Sequence, residues 1–140
     1  MTAYASQQEM IDRYGERVLR ELTDRAASGS IDSGVLDQAL NDATALIDGY
    51  LLERYSLPLS STPRLLTVLA CQVAFYQLHP HGAPEEVRGA YRDAVKTLEA
   101  IASGKIAVPG ASGTEIDSRE GAAEVAGPAR TFSRDSMTGF

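Results

Sequence analysis

Apolar residues recur along the first hundred positions at intervals of three and four, the repeat of helices that bury one face. Ser6-Gln7-Gln8-Glu9 has the spacing of a capping box, in which the serine hydroxyl accepts from the Glu9 amide and the carboxylate reaches back to the Ser6 amide. A helix is predicted from there, interrupted at Gly15, with a second short helix over 16–22 that carries Val18, Leu19 and Leu22 on one face. Residues 23–30 read as a polar loop.

Asp32 is a favourable N-cap for the next helix, and Ile31 before it is placed to meet Leu36 in a hydrophobic staple. Leu36, Leu40, Ala43, Ile47, Tyr50 and Leu51 trace an apolar stripe, with Asp37, Asn41, Asp42, Asp48 and Glu53 largely off it. This third helix is predicted to run to about Arg54. Residues 56–61, Ser-Leu-Pro-Leu-Ser-Ser, are too short for a domain linker and too apolar for a loose one, which predicts an extended, packed crossover.

Thr62-Pro63 then reads as N-cap plus first-turn proline. From Leu65 to Leu78 only Thr67, Gln72 and Gln77 break an apolar run, so this fourth helix should be the centre of the core. Pro80 ends it, Gly82 turns the chain, and Pro84-Glu85-Glu86 opens a fifth helix with negative charge at its positive end. Val87, Tyr91, Ala94, Leu98 and Ile101 line one face, and Gly104 supplies the stop.

The fold class predicted is therefore all-α: a small bundle over residues 1–104, with a short N-terminal helix pair and three longer helices, followed by an extended tail over 105–140. In the tail Gly, Ala, Ser, Pro and Thr dominate, and Ile106, Val108, Ile116, Val125, Phe132 and Phe140 are too scattered to make a core alone. Absence of Trp and scarcity of other aromatics favour aliphatic helix packing over a sandwich.

Charge narrows the function classes. Thirteen basic and 19 acidic residues give a net charge of −6, so the phosphate attraction behind most nucleic-acid affinity is missing. The same sign suits a surface past which DNA slides without sticking. No apolar run approaches the roughly 18 residues needed to span a bilayer, and neither secretion nor membrane insertion is predicted. The lone Cys71 lies in the apolar run and reads as a buried hydrophobe in a reducing compartment.

Candidate chemistry is sparse. His79 and His81 flank Pro80, but Glu85 and Glu86 stand at no recognised ligand spacing, and interaction with helix-end carbonyls explains the imidazoles better. Asp24 and Asp32 bracket a loop without the alternating carboxylates of a calcium site, so turn and cap duties account for both. No nucleophile elbow, P-loop, Rossmann glycine pattern or zinc-protease helix is present, and neither an enzyme nor a cofactor is expected. Arg130, Phe132, Arg134 and Phe140 join two arginines to two aromatics in a small-residue stretch. These are residue types that anchor interfaces, and two readings stay open: partner-binding anchors, or a free end of chance composition.

Several segments together resemble a known family: Thr23-Asp24-Arg25, Ile47-Asp48-Gly49-Tyr50-Leu51, Arg54-Tyr55-Ser56-Leu57-Pro58-Leu59, Leu69-Ala70-Cys71, Tyr76-Gln77-Leu78-His79 and Phe132-Ser133-Arg134-Asp135. In order and spacing they are similar to a phage and prophage family typified by a Mu head-morphogenesis product, long catalogued as a domain of unknown function. Many relatives carry a Gly-Asp-rich loop where this chain has Ala26-Ala27-Ser28-Gly29. The family looks like the helical head-tail connectors, or adaptors, of long-tailed phages. That resemblance implies a virion structural protein at the neck, assembled in the bacterial cytoplasm. It would form a ring, commonly of twelve copies, beneath the portal protein, meet a tail-terminator or stopper protein, and surround the DNA exit channel without sequence-specific binding. The tail, through Arg130, Phe132, Arg134 and Phe140, would then dock on the portal or a neighbouring subunit. The rival expectations are a tail-completion or tail-terminator protein of the neck, and a free helical regulatory module that binds a host protein.

Overall fold

The computed structural model describes residues 3–59 and 61–108. Five helices follow one another: α1 (Gln7–Tyr14), α2 (Glu16–Thr23), α3 (Ser33–Leu51), α4 (Arg64–Gln77) and α5 (Glu85–Ala102), with no strand among the described residues. The chain is a small all-α protein, as its apolar spacing predicts.

Helix starts follow local chemistry. At α1 the Ser6 hydroxyl accepts from the Glu9 amide at 3.2 Å, and the Glu9 carboxylate accepts from the Ser6 amide at 2.9 Å, completing the capping box. Gly15, with φ +90°, separates α1 from α2 through a backbone conformation that a side chain would strain. At α3 one carboxylate oxygen of Asp32 accepts from both Gly34 and Val35 amides.

Two boundaries differ from the expectation. Pro63 itself, with ψ 148°, is the last non-helical residue before α4, so Thr62 is no cap; the Pro63 carbonyl accepts the first helical bonds, from Leu66 and Thr67. Helix α3 stops at Leu51 rather than near Arg54, because the Leu51 carbonyl takes both the Arg54 and Tyr55 amides in a tight turn. The crossover beyond it contains a cis Leu57–Pro58 bond, and Leu57 and Leu59 pack half-buried on the core.

Helices α3, α4 and α5 pack mutually, and the α1–α2 pair closes one side against α3, with α1 also touching α4. Met10, Leu19, Leu36, Ile47, Leu51, Leu66, Val73, Leu98 and Ile101 are fully enclosed. Each large aliphatic chain so enclosed contributes roughly 1.5–3 kcal/mol relative to exposure, which is what holds short, mostly polar helices such as α2 in place. Val18 was expected to share the α2 face with Leu19, but it is 37% exposed. Successive helical residues lie about 100° apart, and the buried face of α2 is centred on Leu19 and Thr23, which turns Val18 outward.

The chain past α5 returns to the body. Val108, left outside the core by the sequence pattern, is buried, and its amide donates to the Tyr55 hydroxyl at 3.0 Å.

Candidate interaction surface

The most structured surface lies at the C-terminal end of α3, where the N-terminal segment, the crossover and the end of α5 converge. It begins with Tyr4, which the hydrophobic pattern does not single out. The Tyr4 amide donates to Thr44 Oγ1 of α3 at 3.1 Å, and Thr67 Oγ1 of α4 donates to the Tyr4 carbonyl at 2.8 Å. Both threonines are buried, so each supplies the partner that a buried backbone group requires. The Tyr4 hydroxyl donates in turn to the half-buried carboxylate of Asp48. Burial first, then that hydrogen bond and the Asp48 charge, push the Tyr4 phenol far above its ordinary pKa and keep it a donor.

This pair forms the polar corner of a mainly apolar hollow walled by Leu52, Leu57, Pro58 and Leu59. Leu52, just past α3, is 60% exposed, unusual for a large aliphatic side chain on a small body. Across the same helix end, a groove runs between α3 and α5. Ala45, Gly49 and Ala102 give it small residues along its floor with Leu46 beside them, Tyr50 gives an aromatic wall, and Glu53 and Glu99 are exposed carboxylates along its edge. Beside it the Arg54 guanidinium lies over Gly104, so close that a Cβ there would sit 2.6 Å from Cζ.

The two remaining aromatic groups are structural. Tyr14 stacks on Phe75 with ring centres 3.7 Å apart, and Tyr76 stacks on Tyr91 at 4.1 Å, tying α1 to α4 and α4 to α5. Burial raises the Tyr14 phenol to about 12.

The sequence candidates for chemistry take ordinary places. His79 Nδ1 lies 2.8 Å from the Phe75 carbonyl, and its ring meets Phe75 edge-on, while His81 is exposed on the turn. Among the described residues no group of three or more His, Cys, Asp or Glu is placed to hold a metal ion. The Asp24 carboxylate accepts from the Ser28 and Gly29 amides and the Ser28 hydroxyl, and these bonds hold it below the usual carboxylate range. Asp32 caps α3, and its amide donates to Thr23 Oγ1, which donates to the Leu19 carbonyl. Cys71 is fully enclosed in the core, and burial pushes its thiol up. Arg130, Phe132, Arg134 and Phe140 lie outside the described residues.

Two of the sequence segments quoted above, 47–51 and 54–59, surround this α3 end together with Glu53 between them. Ile47, Leu51 and Tyr55 enter the core, Asp48 and Leu57–Leu59 line the hollow, and Gly49, Tyr50 and Glu53 line the groove. The profile of the family described as "Bacteriophage Mu, Gp36" matches residues 4–126. The chain belongs to the bacteriophage Mu Gp36 family. Among relatives, this Gp36-family chain is 32% identical over 140 residues to the "Mu-like prophage FluMu protein gp36" of Haemophilus influenzae, covering 100% of this chain and 99% of the relative. It is 40% identical over 119 residues to "Gene product J" of Escherichia phage Mu, covering 84% of each. The chain is thus a phage protein, and the match to the family profile ends short of Arg130, Phe132, Arg134 and Phe140. No helix among its described residues is long and apolar enough to cross a membrane.

Proposed function

We propose that this Gp36-family protein is a head-tail connector, a structural subunit that assembles as a ring, of twelve copies, beneath the portal and catalyses nothing. The observation that carries this reading is the α3 end. A membership in a Mu phage family supplies the setting. The surface supplies two apolar depressions edged by carboxylates on a rigid bundle, with the chain leaving beside them toward the tail.

Recognition surfaces combine an apolar centre with a polar rim, and aromatic and arginine side chains are their strongest anchors. In the proposed ring the bundle over 6–103 packs side by side about the DNA axis. The tail from Lys105 onward carries Arg130, Phe132, Arg134 and Phe140 onto the portal or an adjacent subunit, leaving the opposite face of the ring to a terminator or stopper protein. A net charge of −6 suits a channel wall, because duplex DNA finds no continuous basic stripe to grip. The reading places the protein in the virion neck.

The test is deletion of residues 109–140, which spares the buried Val108 and its hydrogen bond to Tyr55, in the phage that encodes the protein. Filled heads without tails are expected, together with a soluble, folded truncated chain. Normal tail joining by the truncated chain would refute the role of the tail, and loss of the head itself would place the protein earlier in assembly.

A further inference from the structure

We infer that the α3–α5 groove is the receptor for the chain's own Arg130–Arg134 segment, folded back onto the body before any partner is met. This inference does not depend on the connector reading. It rests on three features: what the groove is made of, where the chain leaves, and how charge is distributed along the tail.

The groove offers a floor with little side-chain bulk. A Cβ added at Gly49 would meet nothing within 4 Å, so the space over this residue is open, and Tyr50 stands next to it as an aromatic wall. An aromatic ring laid over Gly49 can stack against Tyr50 in the offset geometry that such pairs prefer. Glu53, in the turn just past α3, and Glu99 of α5 edge this floor, and among the described residues neither takes part in an ion pair. The matching ligand is a short segment with a central aromatic and a cation on each side. Arg130-Thr131-Phe132-Ser133-Arg134 has that composition and spacing.

Charge fixes which part of the tail fits. Glu115, Asp117, Glu120 and Glu124 precede the segment with only Arg119 among them, and that stretch would be repelled by the two glutamates. Arg130 and Arg134 are the cations that follow. Exposed ion pairs contribute little individually, so the phenylalanine supplies the affinity and the arginines set register and direction.

The exit of the chain supplies proximity. Ala102 and Ser103, which line the groove, are the end of α5, and Val108 is anchored to Tyr55, two residues past Glu53. Residues 109–129 can reach roughly 70 Å at full extension, more than twice the roughly 28 Å length of the 19-residue α3. A tether of this kind gives millimolar effective concentration, enough to fill a weak site in the free chain and too little to resist a better partner. The segment is thereby kept off other copies until a partner surface displaces it, which orders assembly.

The experiment uses full-length protein and a fluorescein-labelled synthetic peptide of residues 127–140, read by anisotropy. The receptor is the full chain carrying Arg130→Glu and Arg134→Glu, whose own tail is expected to leave the groove vacant. It should bind the peptide saturably, and the wild-type chain should bind it at least about tenfold more weakly, as competition by a millimolar tethered segment requires for a site of about 100 μM. A second receptor, the chain that keeps Arg130 and Arg134 but carries Glu53→Arg and Glu99→Arg, has a tail that its own groove repels; it should fail to bind the peptide and should bind a peptide with both arginines changed to glutamate, which separates lost charge matching from lost folding. Absence of saturable binding to the tail-reversed chain, or indifference to the two groove substitutions, overturns the proposed receptor. Equal binding by the wild-type chain overturns the fold-back. None of these failures would touch the position of the protein in the neck, which is read from particles.

Discussion

The Tyr4 clamp makes a quantitative demand on stability. Replacing Thr67 by Val keeps the shape and removes the hydroxyl that donates to the Tyr4 carbonyl; replacing Thr44 by Val removes the acceptor for the Tyr4 amide. Both sites are nearly closed to water, at 6% and 1% exposure, so neither orphaned group can be rehydrated in place. An unsatisfied buried backbone group costs about 1–3 kcal/mol. The alternative is for the N-terminal segment to peel off. That exposes the Tyr4 ring, and losing at least 150 Å² of burial at about 25 cal/mol per Å² costs roughly 4 kcal/mol.

A single substitution is therefore the cheaper state with the segment still docked, and each variant should lose about 1–3 kcal/mol in denaturant unfolding at unchanged slope. In the double variant the two penalties together rival the cost of detachment. Its loss should saturate near roughly 4 kcal/mol, with less than additive behaviour, while amide exchange at Tyr4 to Ser6 rises sharply. Two single variants that unfold within about 0.3 kcal/mol of wild type would show that the clamp carries no stability, and the reasoning would fail.

Four further outcomes follow from the geometry. Asp32→Ala should cost about 1 kcal/mol by removing the α3 cap, and Asp32→Asn much less, measured by thermal unfolding. Gly49→Ala, in open space within α3, should stabilise by about 0.5–1 kcal/mol yet weaken binding of the 127–140 peptide, whereas Gly104→Ala, at φ +87° under the Arg54 guanidinium, should destabilise. Because its folded pKa is raised from 10.0 to about 12, Tyr14 contributes stability that is whole below pH 10 and lost as pH rises toward 12; Tyr14→Phe should flatten that alkaline arm of a denaturation series. The Asp24 carboxylate is depressed, so its contribution is whole above the usual carboxylate range and lost as pH falls through it; Asp24→Asn should remove that acid dependence from the 23–31 loop, followed by amide exchange at Ser28 and Gly29.

What the sequence made legible was local. Ser6, Asp32, Gly15 and Pro80 mark helix ends because their chemistry acts on backbone groups a few residues away, and the same holds for the apolar stripes of α3 and α5. The clamp on Tyr4 was not legible, because Thr44 and Thr67 stand 40 and 63 residues away and each is an unremarked polar residue in its own helix. Thr67 in particular breaks the apolar run of α4, and a buried polar residue in such a run signals a backbone partner elsewhere, which was the only available hint. Val108 escaped for a related reason: one isolated apolar residue has no period, and its burial depends on meeting Tyr55. Val18 was misplaced because eight residues are two turns, too few to fix which of two adjacent positions faces inward. The groove itself combines Gly49 with Ala102, positions that only the α3–α5 crossing brings together.

The connector reading is tested most directly by cryo-electron microscopy of the neck in purified particles of the encoding phage, at a resolution that identifies the five helices. A closed ring of this chain immediately beneath the portal, with residues past Val108 running onto the portal or the next subunit, is expected. Density for the chain elsewhere in the neck, or its absence from the particle, would contradict the assignment.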